Sequence, residues 1–595
     1  MKGPCRSGCE GGRLRRDRFH RGLCAAAGVL LIASSAAALE VRDALWGFDG
    51  KVMPGRFNPV SVLLENPSPS AYDGALLLHR TDGLGGRVGE EIVEPCYLAP
   101  FTARWVQFDV YVREEDESWV LTWDPKRGGR EVLPAPRLGP PACVCLQDPE
   151  SVSQVWAGLK RFPDNLFPSC VSAAETLHSV VLDHVPHWEA ARRQAFMDWA
   201  RAGGIVHLAQ DATGKYPVFP EDMSELNAPG ERLRVGAGLI VRHPAAAREI
   251  GENFLAVHGF PMPELNVSEK AMMGGPEDLL FDDLKSMTRP ADNWSIIYGL
   301  LAVYVILVVP VNFYVGRKWR DYRRTIAFCL VAVALFAWLF SVVGRRGYGE
   351  STAIHTLSYA RPLGHGAWDV SQWTNVFVID GAYYTLTHPC PQNLYSTCSQ
   401  MESVNGTVQN GRDGNFRVDI PLYSSRALLH RGRFSGPDLS LNVVTWKGGE
   451  QLESFAVEGA PPNGMVEAWA FYRGCGYPMA AFGGRIQTAG AGRPAEQFFP
   501  PDQFTMFQFG GRMGRIDSED LKTDERFQKM LRPLMARAVG GAGVFRHEFV
   551  LPQAGDAVQL FLFARAPDSL KMTQSGLGRE EGYVLYHLTF YKPET

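Results

Sequence analysis

The residues with the most capacity for chemistry are few and far apart. Cys143 and Cys145 share one apolar run, Cys170 follows Pro168-Ser169, and Cys475 sits between Gly474 and Gly476. A cysteine nucleophile needs a tight strand-to-helix elbow, usually G-x-C-x-G, because glycines permit the turn and let oxyanion donors approach. Cys143, Cys145 and Cys170 lack those glycines, and Gly474-Cys475-Gly476 lies in a β-rich region. His178, Asp183, His184 and His187 form the densest ligand-like group. They could hold zinc at the carboxyl edge of a sheet, where α/β folds place ligands. The simpler reading is preferred: His178 and His184 bracket a strand from opposite ends, beside a helix cap. Asp148-Pro149-Glu150-Ser151-Val152-Ser153 has one residue too many for a D-x-S-x-S cation motif, so ordinary helix N-capping explains it better. Gly214-Lys215 lacks the glycine loop and the Ser or Thr of a phosphate-binding loop, and Gly540-Gly541-Ala542-Gly543 follows a helical segment rather than a strand. No catalytic, cofactor-binding or metal-ligating residue is assigned, and no cofactor is expected.

The elements that would position any site are dominated by two uncharged runs, Ser295 to Gly316 and Thr325 to Gly344. Each is about twenty residues, enough for a helix to cross a hydrocarbon core of about 30 Å. Between them lie Arg317, Lys318, Arg320, Arg323 and Arg324, with Asp321 the one acid. Basic clusters stay on the cytoplasmic side, so both long flanking segments are expected outside the cytoplasm. The N-terminus agrees. A leader rich in arginine, an apolar stretch from Gly22 to Ser35 and Ala36-Ala37-Ala38 read as a secretory signal peptide, or as an uncleaved anchor.

Composition narrows the class further. A net charge of −4 offers no global basic field for nucleic acid, and none is expected as a partner. Forty prolines and sixty-one glycines among short β-branched and aromatic runs suggest β-rich modules. Of eleven cysteines, Cys390 and Cys398 enclose a short loop and are the candidate disulfide.

Along the chain, strand-like runs at Pro59 to Glu65, Gly74 to His79, Thr102 to Val112 and Ser118 to Trp123 predict a sandwich of immunoglobulin-like size. The period then changes. Strands at Ala142 to Leu146, Ser179 to Leu182 and Ile205 to Leu208 alternate with helical patterns at Ser151 to Leu159 and His187 to Arg201. The second helix puts Trp188, Ala191, Ala195, Phe196 and Trp199 on one face. Such alternation implies a parallel sheet. Leu233 to Arg242 adds a strand pair, followed by a helix near Ala245 to Glu249. Beyond the spans come further strands, interrupted by one helix at about Thr523 to Val539.

A strand ending in an aspartate, the helix with D-W-A-R-A-G-G, the strand I-V-H-L and the later V-G-A-G-L-I-V resemble a class I glutamine-amidotransferase-like domain of flavodoxin-like fold. P-G-R-F-N-P-V-S-V-L-L-E-N and the span ending P-V-N-F-Y-V-G-R-K extend the likeness to uncharacterised bacterial envelope membrane proteins. The resemblance implies a degenerate domain, since no nucleophile elbow is present. The expected order is a signal peptide (1–38), an immunoglobulin-like β-sandwich (39–138), an amidotransferase-like α/β domain (139–290), a transmembrane helix (295–316), a cytoplasmic basic loop (317–324), a second transmembrane helix (325–344) and an extracytoplasmic β-rich domain (345–595). The functional expectation is a non-catalytic scaffold or adaptor of a membrane complex in the bacterial inner membrane, with two extracytoplasmic arms. The alternatives are a hydrolase or amidotransferase, or a small-ligand sensor using the sheet-edge crevice of the α/β domain.

Overall fold

The computed structural model describes residues 39–592 apart from 114–116, 124–128, 150–157, 212, 264–275, 288–293, 320–321, 345–351, 399–401, 437–438, 440, 450, 495–525, 528–529, 531–533, 536–556 and 574–578. The expected signal peptide lies outside the described residues, as do most of the helices expected at Ser151 to Leu159 and Thr523 to Val539.

Strand Arg56–Glu65 buries Val60, Val62 and Leu64, the period-two alternation that gives a sheet one apolar face. It pairs with Glu40–Trp46 and Ala103–Val112 in a three-stranded sheet. Facing it, Arg87–Leu98, Tyr72–Thr81, Ser118–Trp123 and Gly129–Val132 pair in that order. Leu76, Leu78, Ile92, Phe108, Trp119 and Leu121 fill the space between the two sheets. A sandwich therefore forms as expected, with Glu40–Trp46, Arg87–Leu98 and Gly129–Val132 added. These three were hidden by charged residues in their runs.

The sandwich does not close at residue 138. Strand Ser403–Gln409, from beyond the spans, runs parallel to Arg87–Leu98 with Thr407 beside Glu91 and Val408 beside Ile92. Asn415–Ile420 and Ala382–Leu386 follow, making the second sheet seven-stranded. The expected boundary between two separate arms gives way to a shared sheet.

The next unit is a six-stranded sheet. Lys160–Pro163, Ala142–Gln147, Leu177–Leu182, Ile205–Gln210 and Gly238–Ala246 are mutually parallel, and Arg232–Val235 closes one edge antiparallel. Helix Ala190–Ala202 lies on it, burying Ala195, Phe196 and Trp199. Ala191, assigned to that face, is exposed instead. Gly203 at φ 133° ends the helix and donates back to the carbonyls of Trp199 and Ala200, a conformation that a side chain would oppose. The helix expected near Ala245 to Glu249 is a short 3-10 turn, Ala247–Glu249, with α-helix Glu252–Val257 after it.

After the spans, strands Ala353–Gly364 and Ala367–Val378 form a long hairpin turned by His365 (φ 52°) and Gly366 (φ 69°). Ser424–Ser435 extends it on one side. On the other, Arg579–Tyr591 pairs parallel to Ala353–Gly364 and continues through Ala557–Arg565 and Met465–Tyr472. The whole is one 13-stranded sheet.

Helix Pro276–Met287, just before the spans, seats Leu280, Phe281 and Leu284 among Leu357, Trp373 and Leu429 of this sheet. Two helices are long and apolar enough to cross a membrane, Ile297–Lys318 and Tyr322–Ser341. The first contains a π turn, Leu307–Val311, at Pro310, whose missing N–H leaves the ordinary ladder broken. The runs set at 295–316 and 325–344 extend further as helix: Arg317 and Lys318 end one, Arg323 and Arg324 begin the other, and Arg320 lies outside the described residues.

Phe416 is fully buried with Val376, Val404 and Leu428. Phe416→Ala should cost about 3–5 kcal/mol. Protease protection against temperature should show sandwich and C-terminal strands losing stability together, in one transition.

Candidate functional site

Four of the five parallel strands of the six-stranded sheet begin at Ala142, Leu177, Ile205 and Gly238. Their amino ends form one wall of a cleft of about 500 Å³, through Pro141, His178, Gly204 and Leu239. The opposite wall comes from the 13-stranded sheet, through Tyr359, Arg361, Gln559, His587, Thr589 and Tyr591. This volume falls in the range of small-molecule sites. The cleft lies at the end of the sheet opposite to the carboxyl crevice expected from an α/β fold.

At its floor five charged side chains from three units meet. Glu175 accepts from Arg56 at 2.6 Å and from Arg431, with Arg361 at 3.7 Å. Asp369 accepts from Arg361 at 2.7 Å and Arg431 at 2.9 Å, and Ser172 Oγ donates to it at 3.1 Å. Arg56 belongs to the sandwich, Ser172 and Glu175 to the α/β unit, and the other three to strands beyond the spans. Burial drives both carboxyls toward the neutral form, but the arginines outweigh it. Glu175 is held below its ordinary value, and Asp369 falls to about 2.

A second interdomain pair lies nearby. Asp198 of helix Ala190–Ala202 is almost fully buried and accepts from Arg433 at 2.6 Å and Arg201 at 3.2 Å. Tyr591 hydroxyl donates to the Ala237 carbonyl at 3.1 Å, while the Arg234 guanidinium stacks 3.7 Å over its ring.

The residues singled out from sequence sit elsewhere, apart from His178. Cys143 and Cys145 share one apolar face of a core strand, where burial pushes their thiols up to about 11 and about 12. Cys170 is pushed well above its ordinary value by burial. Thiols so raised hold little thiolate at neutral pH. Arg473 and Gly474, both at positive φ, turn a hairpin after Met465–Tyr472, and Cys475 and Gly476 begin the antiparallel strand Cys475–Phe482, so a strand and not a helix follows the turn.

Cys390 and Cys398, the candidate disulfide, are free in this structure. Cys390 Sγ faces Asn393 Oδ1 at 2.7 Å, and Cys398 packs in a different apolar cluster.

His184 sits between Asp183 at 2.9 Å and Asp164 at 3.3 Å. Burial opposes its charge, but the two acids raise its pKa to about 9. His178 faces the cleft, its imidazole lowered to about 4 by burial. Among the described residues no group of three or more His, Cys, Asp or Glu could hold a metal ion. Asp211, whose carboxylate accepts from Thr213 and Lys215, makes the Gly214-Lys215 segment an ordinary turn. Of Asp148 to Ser153, residues 150–153 lie outside the described residues. Half-buried Asp109 and Glu94 are raised to about 7, chiefly by desolvation, but neither lines the cleft.

The cleft and its arginines were not singled out from sequence, because residues 56, 175, 361, 369 and 431 converge only through sheet topology. The one local signal was Asp369 in the apolar run A-W-D-V, a carboxylate that a buried strand must pair.

No protein-family model matches the chain, and no curated protein matches it. Among solved structures, a cycloisomaltooligosaccharide glucanotransferase of Paenibacillus sp. aligns with 9% identity over 76% of this chain and 98% of its own, at a TM-score of 0.15. A beta-glucuronidase of glycoside hydrolase family 2 aligns with 10% identity over 93% of this chain and 62% of its own, at 0.14. DesR, a beta-glucosidase of Streptomyces venezuelae, aligns with 9% identity over 65% and 42%, at 0.10. At such scores the likeness supports neither a fold nor an activity.

Glu175→Gln should destabilise the protein by about 3–5 kcal/mol, since it leaves buried guanidinium groups short of a carboxylate. The pH dependence has a definite sign. Carboxyls with depressed folded values add stability above their unfolded pKa, near 4, and lose it as pH falls toward about 2. Denaturant melts between pH 5 and pH 2 should show stability falling, with a shallower fall in the Glu175→Gln protein.

Proposed function

We propose that this chain is a non-catalytic envelope membrane protein: a scaffold or adaptor whose transmembrane hairpin holds one composite extracytoplasmic body. One observation carries the reading. The segments before and after the hairpin share a sheet, through Arg87–Leu98 and Ser403–Gln409, and a buried ion cluster, through Glu175 and Arg431. Segments joined in this way must lie on the same side of any bilayer that the hairpin crosses. The five basic residues Arg317, Lys318, Arg320, Arg323 and Arg324 favour the cytoplasm for the turn between the helices, and so place the body outside. A bacterial inner membrane is the matching compartment, with another membrane protein as the partner class.

Counted along the chain, the parallel strands take the spatial order 2-1-3-4-5, which supports a flavodoxin-like fold and with it the amidotransferase-like resemblance. The buried, neutral thiols of Cys143, Cys145 and Cys170 support loss of the nucleophile in that domain. A second role, binding a small ligand, is favoured by the cleft at the amino ends of the strands.

The test is sidedness. Ala71 and Lys592 are exposed on the two segments. In a Cys475→Ser background, Ala71→Cys and Lys592→Cys should both react with an impermeant maleimide in intact spheroplasts. Labelling of one alone would overturn the shared-side reading.

A further inference from the structure

We infer that segment 252–260 is an acid-released strap at the edge of the interdomain cleft, clamped by the buried imidazole pair His207 and His243. Such a strap requires neither the scaffold role nor any particular occupant of the cleft.

The strap has little hold of its own. Helix Glu252–Val257 has six residues, too few to be stable without packing. Glu252, Asn253, Ala256, Val257 and His258 are all exposed. Its anchors are Leu255 and Phe260, both buried, with Phe254 partly so. Gly259 and Phe260 also line the cleft, so the strap is part of the cleft wall.

Beneath it lie two histidines where an apolar sheet face would carry aliphatic side chains. Strand alternation puts His207 between Ile205 and Ala209, and His243 two residues beyond Val241, all on one face. Both histidines are buried. Phe260 stands edge-on to His207 at 5.0 Å between ring centres, and Phe254 edge-on to His243 at 5.2 Å. His258 lies 5.5 Å from His243 and stacks on Phe254 at 4.1 Å. Arg232 Nη2 donates to the His258 carbonyl at 3.0 Å, and its guanidinium lies 5.3 Å from the Phe260 ring centre.

The pair has room for one shared proton. His207 Nδ1 is 3.0 Å from His243 Nε2, so one ring donates and the other accepts. His207 Nε2 is buried with no hydrogen-bond partner among the described residues. A further proton would either set N–H against N–H or leave a buried charge unpaired. The charges that reach the pair are Arg232 from strand Arg232–Val235, His258 from the strap and His178 from strand Leu177–Leu182, and each opposes a further positive charge. Glu252 acts on Cys143 instead, and Arg248 and Glu249 face each other on the surface at 3.9 Å. The thiols of Cys143 and Cys145, on the same face, are held neutral. Burial first, and these neighbours second, lower His243 to about 4 and His207 well below its ordinary value.

The direction of the pH effect follows. With the strap down, both rings are neutral. With it lifted, water reaches them and they return toward the ordinary value, about 6.5. The lifted form therefore binds more protons, so closure is complete above about 6.5 and weakens as pH falls toward about 4. That window lies above the one in which Asp369 loses its charge, so the strap lifts before the interdomain ion cluster fails.

Hydrogen exchange of the full-length protein in detergent, read by mass spectrometry as protection factors, tests this. Protection of peptide 252–262 should fall about tenfold or more from pH 7.5 to pH 5 and recover on return, while strand Arg56–Glu65 keeps its protection. His207→Leu combined with His243→Leu removes both titrating rings and their hydrogen bond together, and should make protection of 252–262 equal at the two pH values. His258→Gln keeps the pair but removes an opposing cation, so the loss should begin at higher pH. It is the decisive variant if the double substitution fails to fold. Equal protection of 252–262 at pH 7.5 and pH 5 in the unaltered protein would overturn the proposal. So would a pH dependence that survives the double substitution, or a His258→Gln profile that does not move.

Discussion

A guanidinium buried as deeply as that of Arg431 demands carboxylates, and the nearest two come from units that the chain keeps far apart. Arg431 bridges Glu175, which precedes the two long apolar helices, and Asp369, which follows them. Desolvating these groups singly would cost several kcal/mol each, so the cluster exists only when all three units are assembled. The same cluster forms the floor of the cleft and positions Arg361. Assembly and binding surface therefore rest on one set of charges.

The remaining interdomain contacts follow the same logic of mutual completion. Asp198 on helix Ala190–Ala202 is buried against Arg433, so pulling the helix from the large sheet would break this interdomain pair and leave Asp198 only Arg201 of its own helix. Arg113 of the sandwich pairs with Asp278 at the first turn of the helix leading into the spans. That helix buries Leu280, Phe281 and Leu284 in the core of the C-terminal sheet. The lead into the two apolar helices is thus packed into the β-rich body rather than tethered loosely to it.

Much of the fold was legible where periodicity is local. The alternation in P-V-S-V-L-L-E, the 3.6-residue stripe around Phe196 and Trp199, and the uncharged runs flanking Arg317 to Arg324 each specify an element without reference to distant chain. Strands such as Arg87–Leu98 escaped because charged residues interrupt their apolar alternation, and these find partners within the sheet, Arg87 with Glu91 along the same strand and Arg80 with Glu117 beside the neighbouring one. The site escaped for a deeper reason. Parallel pairing of Ser403–Gln409 with Arg87–Leu98 joins residues more than three hundred apart, and no local pattern encodes such a register.

The central claim is that the segments on either side of the hairpin form one body, and disulfide trapping across their shared sheet tests it most directly. Glu91→Cys and Thr407→Cys place thiols on strands that pair in register at these two positions. A protease site inserted between residues 345 and 351 would allow the chain to be cut after oxidation and denaturation. Most of the cut protein should then migrate as a single full-length species without reductant and as two fragments with it, while either single variant yields two fragments in both lanes. Two fragments from the double variant before reduction, in protein that is correctly inserted, would contradict the shared sheet and the account built on it.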